Sequence, residues 1–168
     1  MAKVFNMHAA IFIRPIEKKD NMAVSKLIRT VMTEFGAVGE GYSIMDAELD
    51  DMYSAYAKSE AAFYVIEKDG KVMGCGGIAP LAGAESDICE LRKMYFQKEV
   101  RGIGLGKQLM EECLAKAKNL GYKTCYLETI SSMKRAGYLY KKYGFEALDA
   151  PMGHTGHTSC QLYYAKKL

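Results

Sequence analysis

The sequence predicts an α/β fold, a mixed central sheet of about seven strands flanked by about four helices. Three observations carry that expectation. Apolar runs with strand and helix periods alternate in the order β α α β β β α β α β β. Two β-branched and aromatic runs flank Lys68-Asp69-Gly70, a hairpin signal. A glycine-rich turn joins a strand directly to a strongly amphipathic helix, as in a βαβ-type C-terminal half, while the N-terminal half reads as mainly antiparallel. No repeat, low-complexity tract or Pro/Ser-rich linker divides the 168 residues, so one domain spanning 1–168 is expected.

Met1–Ile13 reads as a first strand. It is weakly hydrophobic, carries His8, and ends at Arg14-Pro15 without a small-residue cleavage site, unlike a signal peptide. Asp20 is placed to cap a helix whose stripe is Val24, Leu27, Ile28, Val31, Met32 and Phe35, closed by Gly36. The loop Gly36–Ser43 leads to a second helix, capped by Asp46, with Leu49, Met52, Tyr53 and Tyr56 on one face. Ala61–Glu67, Lys71–Ile78 and Ile88–Phe96 follow as strands. Leu105–Leu120 is a helix with Leu105, Leu109, Cys113, Ala117 and Leu120 on one side, and Gly121 closes it. Thr124–Ile130 is a strand, and Ser131 or Ser132 then caps a helix bearing Met133, Ala136, Leu139, Tyr140 and Tyr143. Gly144-Phe145 has the form of a left-handed stop with a hydrophobic latch, and Cys160–Lys166 is the last strand.

Composition excludes several classes. Hydrophobic residues make up 49%, which a disordered chain does not reach. No apolar run approaches the roughly 20 residues that cross a bilayer, so no membrane partner is expected. A net charge of +3 is too small for a nucleic-acid binder. Five scattered cysteines without a C-x-x-C pair point to a reducing, cytoplasmic compartment. The charge is polarised. Thr30–Ala57 holds six acids and no Lys or Arg, whereas Ile88–Lys142 holds twelve Lys and Arg against five acids. One region is built for cations and the other for anions.

Arg101-Gly102-Ile103-Gly104-Leu105-Gly106 lies between the fourth strand and its helix. Alternate glycines free the backbone to converge its N–H groups, and the helix adds unpaired N-terminal donors and its positive dipole end. The result is a cradle for a phosphate or pyrophosphate. The Walker loop fits worse, because Gly106-Lys107 is followed by Gln108, and so does the dinucleotide fingerprint, because the spacing is G-x-G-x-G.

With Arg101, Gly104 and Gly106 at these positions, the sequence resembles the GNAT superfamily of acyl-CoA-dependent N-acetyltransferases, whose signature is Gln/Arg-x-x-Gly-x-Gly/Ala. Glu90–Phe96 is similar to the family's fourth strand, and Leu139-Tyr140-Lys141-Lys142-Tyr143-Gly144-Phe145 to its late L-Y-x-x-x-G-F signature. The resemblance is specific from about Ile88 to Leu148. It implies acetyl transfer from acetyl-CoA to a primary amine of a small molecule, amino acid or peptide, by direct attack through a tetrahedral intermediate. It also implies a pyrophosphate held by the backbone from Gly102 through Ile103, Gly104, Leu105 and Gly106 to Lys107, with charge from Arg101 and Lys107. The pantetheine arm would lie along Met94, Tyr95 and Phe96, whose N–H groups would polarise the thioester carbonyl. Tyr140 matches the family's general acid, since a phenol of pKa about 10 can protonate a thiolate of pKa about 8.5.

A protonated amine must lose a proton before attack, and Glu90 is the first candidate base, through water, with Glu128 second. Glu90 as a paired or solvated strand charge is the competing reading. The family often places an Asn before the last helix; here Ser132 takes that place, as coenzyme A contact or helix cap. His154, His157 and Cys160 form H-x-x-H-x-x-C, but three soft ligands without a fourth do not make a zinc site, and no metal is expected. His157 instead borders the acceptor pocket, as orienting group, base or plain loop residue. Glu34 and Glu40 are candidates for attracting a cationic acceptor, although acids in this segment also suit a helix start. A catalytically silent coenzyme A sensor is the alternative, and a homodimer would be in keeping with the superfamily.

Overall fold

The computed structural model describes residues 10–168. The part of the expected first strand before residue 10, with His8, lies outside them. Among the described residues seven strands form one sheet: β1 (Ile11–Pro15), β2 (Ala62–Lys68), β3 (Lys71–Pro80), β4 (Ile88–Phe96), β5 (Thr124–Thr129), β6 (Glu146–Leu148) and β7 (Leu162–Lys167). Their order is β1-β2-β3-β4-β5-β7-β6. Every neighbouring pair is antiparallel except β4 and β5. Four helices cover it: α1 (Asn21–Glu34), α2 (Met52–Tyr56), α3 (Leu105–Asn119) and α4 (Lys134–Lys142).

Strand alternation builds two cores. Phe63 and Val65 of β2 pack with Val24, Leu27 and Ile28 of α1 and Met52 of α2 on one face. Tyr64 and Ile66 point to the other, against Leu109, Met110 and Cys113 of α3 and Tyr140 of α4. The β2–β3 hairpin turns at Asp69 and Gly70, both at positive φ (52° and 75°), as a two-residue primed turn requires. Gly144, at φ 79°, stops α4 and lets the Phe145 N–H return to the Tyr140 carbonyl at 3.1 Å.

Three local expectations are corrected. The second helix is two short pieces, a 3-10 turn over Ala47–Asp50 and α2, and Tyr53 faces outward. Asp51 breaks it, because its carboxylate accepts from the Ser54 N–H (3.1 Å) and from the Asn21 amide (2.7 Å). Asp20 occupies the N-cap position of α1 without capping it. Its carboxylate is held by Arg14 (2.7 and 3.0 Å) and by the Glu17 N–H (2.8 Å). Neither Ser131 nor Ser132 caps α4, which starts at Lys134 after Met133. The Ser132 hydroxyl instead donates to the Phe35 carbonyl at 3.0 Å and ties the β5–α4 turn to the end of α1.

Candidate active site

The site is a split in the sheet. β4 and β5 pair only from Ile88–Glu90 to Thr124–Tyr126. Beyond that, β4 follows β3 to Phe96 and β5 follows β7 to Thr129, so the two strands are held on their outer sides and open between. A bulge in β4 sets the divergence. Arg92 pairs with Gly77 and Tyr95 with Cys75, leaving Lys93 and Met94 opposite the single residue Gly76. Lys93 takes a left-handed φ of 54°. Gly76 is required there, because a Cβ on it would lie 2.8 Å from Met94 Cγ.

On one side of the split lies a cleft of about 610 Å³, lined by Met94, Tyr95, Phe96, Arg101, Gly102, Gly104, Gly106, Lys107 and Ser132. Gly102 (φ 76°) and Gly104 (φ 89°) are left-handed, and Gly104 is the N-cap of α3. The glycine loop and the N-terminus of α3 therefore border the cleft, the kind of place where backbone amides hold an anionic group. Ile103 is exposed, Leu105 is buried in the core, and neither lines the cleft.

Two charges act differently from expectation. Arg101 forms a two-pronged pair with Glu34 (2.8 and 2.9 Å), donates to the Phe96 carbonyl (2.7 Å) and stacks on Phe35 at 5.4 Å. Its charge is neutralised within the protein, and it fixes the loop to β4 and α1. Glu34 accordingly sits beside the glycine loop, not in the acceptor cavity, and Arg101 holds its carboxyl below the usual range. Lys107 is joined at the cleft by Lys134 and Arg135, which the sequence reading missed. The one signal was their place as a basic pair immediately after the β5–α4 turn.

Beyond the split lies a smaller cavity of about 60 Å³, lined by Glu90, Arg92, Lys93, Glu128, His157 and Cys160 among others. Met94, Tyr95, Met133 and Tyr140 line both spaces and form the throat between them. Tyr140 is 7% exposed, and burial pushes its phenol well above the ordinary tyrosine value. It is therefore a neutral O–H at any physiological pH.

The small cavity is walled by charge. Glu90, 3% exposed, accepts from Arg92 Nε at 2.6 Å. Burial raises its pKa against the opposing pull of Arg92. Lys93 reaches Asp46 (2.5 Å) and Glu48 (3.0 Å). His157 Nε2 lies 3.1 Å from both oxygens of Asp46, and its Nδ1 lies 3.8 Å from Glu128. Burial opposes both charges of the His157–Asp46 pair. The hydrogen bond between them outweighs it, raising the imidazole and, with Lys93, lowering the carboxyl. Asp46 is thus an ion-pair partner, not the helix cap expected. Glu40 is exposed; its backbone carbonyl accepts from Ser159 Oγ at 3.0 Å, and its carboxylate is not part of the cavity wall. Sequence reasoning brought Glu90, Tyr140 and His157 to one place. It missed Lys93, which no periodicity distinguishes from an outward-facing strand lysine.

Among the described residues no group of three or more His, Cys, Asp or Glu is placed to hold a metal ion, and no helix is long and apolar enough to cross a membrane. The model of the acetyltransferase (GNAT) family matches residues 26–145. The chain is 43% identical over 157 residues to YjgM of Escherichia coli (strain K12), named an uncharacterised N-acetyltransferase, covering 93% of this chain and 94% of that one. A GNAT-family acetyltransferase from Staphylococcus aureus Mu50 superposes with a TM-score of 0.81 at 21% identity, over 94% of this chain and 99% of that one. The paia N-acetyltransferase of Thermoplasma acidophilum, solved with coenzyme A, superposes with a TM-score of 0.71 at 19% identity, over 95% and 99% of the two chains. The chain therefore belongs to the acetyltransferase (GNAT) family.

Proposed function

We propose that the protein transfers the acetyl group of acetyl-CoA to a primary amine, bound as a small molecule, amino acid or peptide. The observation that carries this reading is the position of Tyr140, a buried neutral phenol in the throat between an anion-binding cleft and a charge-lined cavity. The larger cleft suits coenzyme A. The glycine-loop amides with Lys107, Lys134 and Arg135 would hold its phosphates, and the open edge of β4 from Met94 to Phe96 would hold the pantetheine arm. Acetyl-CoA supplies the activated acyl group. The chain's own residues orient it, exclude water and move protons.

Main-chain N–H groups on the unpaired edge of β4 are fixed donors of the kind that stabilise charge developing on an acyl oxygen. Tyr140 donates a proton to the departing sulfur. Glu90, whose affinity for a proton is raised by burial, receives the amine's proton through water. His157 orients the cavity wall, since its Nε2 is engaged by both oxygens of Asp46 at 3.1 Å.

Acetyl-CoA at about 100 times its Kd should stabilise the protein by about 2.7 kcal/mol, a shift of roughly 5–10 °C at this size. Thiol release across a panel of amines should fall about 100-fold or more in Tyr140→Phe, with the acetyl-CoA shift retained. A shift without turnover on any amine would support the silent sensor. No shift would refute the cofactor cleft.

A further inference from the structure

The ion-pair cluster that walls the small cavity holds more acids than bases, and that imbalance selects among acceptors. Asp46, Glu48, Glu90 and Glu128 belong to one connected cluster. Among the described residues the basic groups of that cluster are Arg92, Lys93 and the imidazole of His157. With His157 protonated, one carboxylate still lacks a counter-charge. Every fixed cation is already engaged. Lys93 is shared by Asp46 and Glu48. Arg92 donates to Glu90 at 2.6 Å and to the Pro80 carbonyl at 3.0 Å.

The carboxylate left over is Glu128. Its side chain is 3% exposed and lines the cavity, and among the described residues its ion pairs include no Lys or Arg. Its donors are neutral: the Tyr126 hydroxyl at 2.7 Å and the Thr155 hydroxyl at 3.0 Å from each oxygen. A carboxylate offers about four acceptor positions, so these two hydroxyls leave room for a further donor. A buried carboxylate held mainly by neutral hydroxyls is costly to keep charged, and a ligand cation offsets that cost.

On the reading of this cavity as the acceptor site, we infer that the acceptor is a slender primary amine with no carboxylate beside the reacting nitrogen, and that Glu128 receives its ammonium group. An α-carboxylate would enter a cavity of about 60 Å³ whose fixed cations are all paired and whose surrounding cluster has more acids than bases. A simple amine brings the missing positive charge. Free α-amino acids are therefore excluded as acceptors, which narrows the class proposed above.

The test is thiol release, with acetyl-CoA fixed, on matched triads: phenethylamine, phenylalanine amide and phenylalanine; 3-(methylthio)propylamine, methionine amide and methionine. Titration of the same compounds into protein saturated with coenzyme A measures binding without turnover. The amine is expected to exceed its amino acid in kcat/KM by about 100-fold or more. The amino-acid amide, neutral at its carboxyl end, should recover part of that gap. Glu128→Gln should raise the amine KM by about 10-fold or more with a smaller change in kcat, and should narrow the discrimination. Retention of the acetyl-CoA thermal shift by that variant shows that it is folded. An amino acid accepted as well as its amine overturns the inference while leaving acetyl transfer intact, and so does binding of neither class to the coenzyme A-loaded protein. Failure of acetyl-CoA itself to bind overturns the functional reading beneath it.

Discussion

Lys93→Met removes the one ammonium that joins the fourth strand to the acidic segment before α2, while keeping an apolar chain of similar length. The lysine side chain is 2% exposed, with Nζ 2.5 Å from Asp46 and 3.0 Å from Glu48. Removing one partner from a fully buried pair costs about 3–5 kcal/mol, because the other charge is left unpaired. Here Asp46 and Glu48 are 26% and 23% exposed, and Asp46 keeps His157. Partial hydration discounts the loss to about 2–3 kcal/mol. A chain of 168 residues has an unfolding entropy near 350 cal/mol/K at about 2.1 per residue, so the melting temperature should fall by roughly 6–9 °C.

Calorimetry of Lys93→Met, Asp46→Asn and the double variant isolates the pair. Two residues in direct contact should couple by at least about 1 kcal/mol. A Lys93→Met protein melting within about 2 °C of wild type, or strictly additive effects, would refute the claim that this lysine holds the acceptor wall.

Two further perturbations separate the halves of the site. Glu34→Gln frees Arg101 from its two-pronged pair and loosens the glycine loop, so the KM for acetyl-CoA should rise about 3- to 10-fold while the acceptor KM stays put. Steady-state kinetics in each substrate checks this, and a change confined to the acceptor KM would restore Glu34 to the role its sequence position suggested. His157 carries a pH signature. Its imidazole is raised above about 6.5 by Asp46, so the pair stabilises the fold below that pH and the stabilisation is lost as pH rises through the folded value. Asp46, held low, loses its share only in acid. The melting difference between wild type and His157→Gln should be greatest near about pH 5–6 and shrink by about pH 9, whereas parallel curves would sink the assignment.

What could be read from the sequence was whatever a short window encodes. The stripes of α1 and α3, the Asp69-Gly70 hairpin and the Gly102–Gly106 loop each depend on residues within a few positions of one another, and these formed as expected. Side-chain partners across long separations were not legible. Asp46, Glu34 and Asp20 each look like helix-associated acids, yet Lys93, Arg101 and Arg14 claim them, two of those cations lying far along the chain. A charge-assisted pair outweighs a cap worth about 1 kcal/mol whenever the fold brings a cation within reach. The second helix broke for the same reason, when Asn21 drew Asp51 and the Tyr53 N–H into a contact no local pattern announces.

Lys93 also explains why the strain in the fourth strand persists. A non-glycine residue at φ 54° costs of order 1–3 kcal/mol, and in a regular strand that cost would favour flat pairing with β5. The bulge turns the lysine side chain towards Asp46 and Glu48, and a return to regular strand geometry would part it from both carboxylates. The same rotation carries Met94 to Phe96 out of register with β5 and opens the edge that the cofactor cleft uses. Opening of the sheet and closure of the acceptor wall are therefore one event at one residue. A substitution that relaxes Lys93 into ordinary strand geometry should impair both sides of the reaction together, where Glu34→Gln impairs only one.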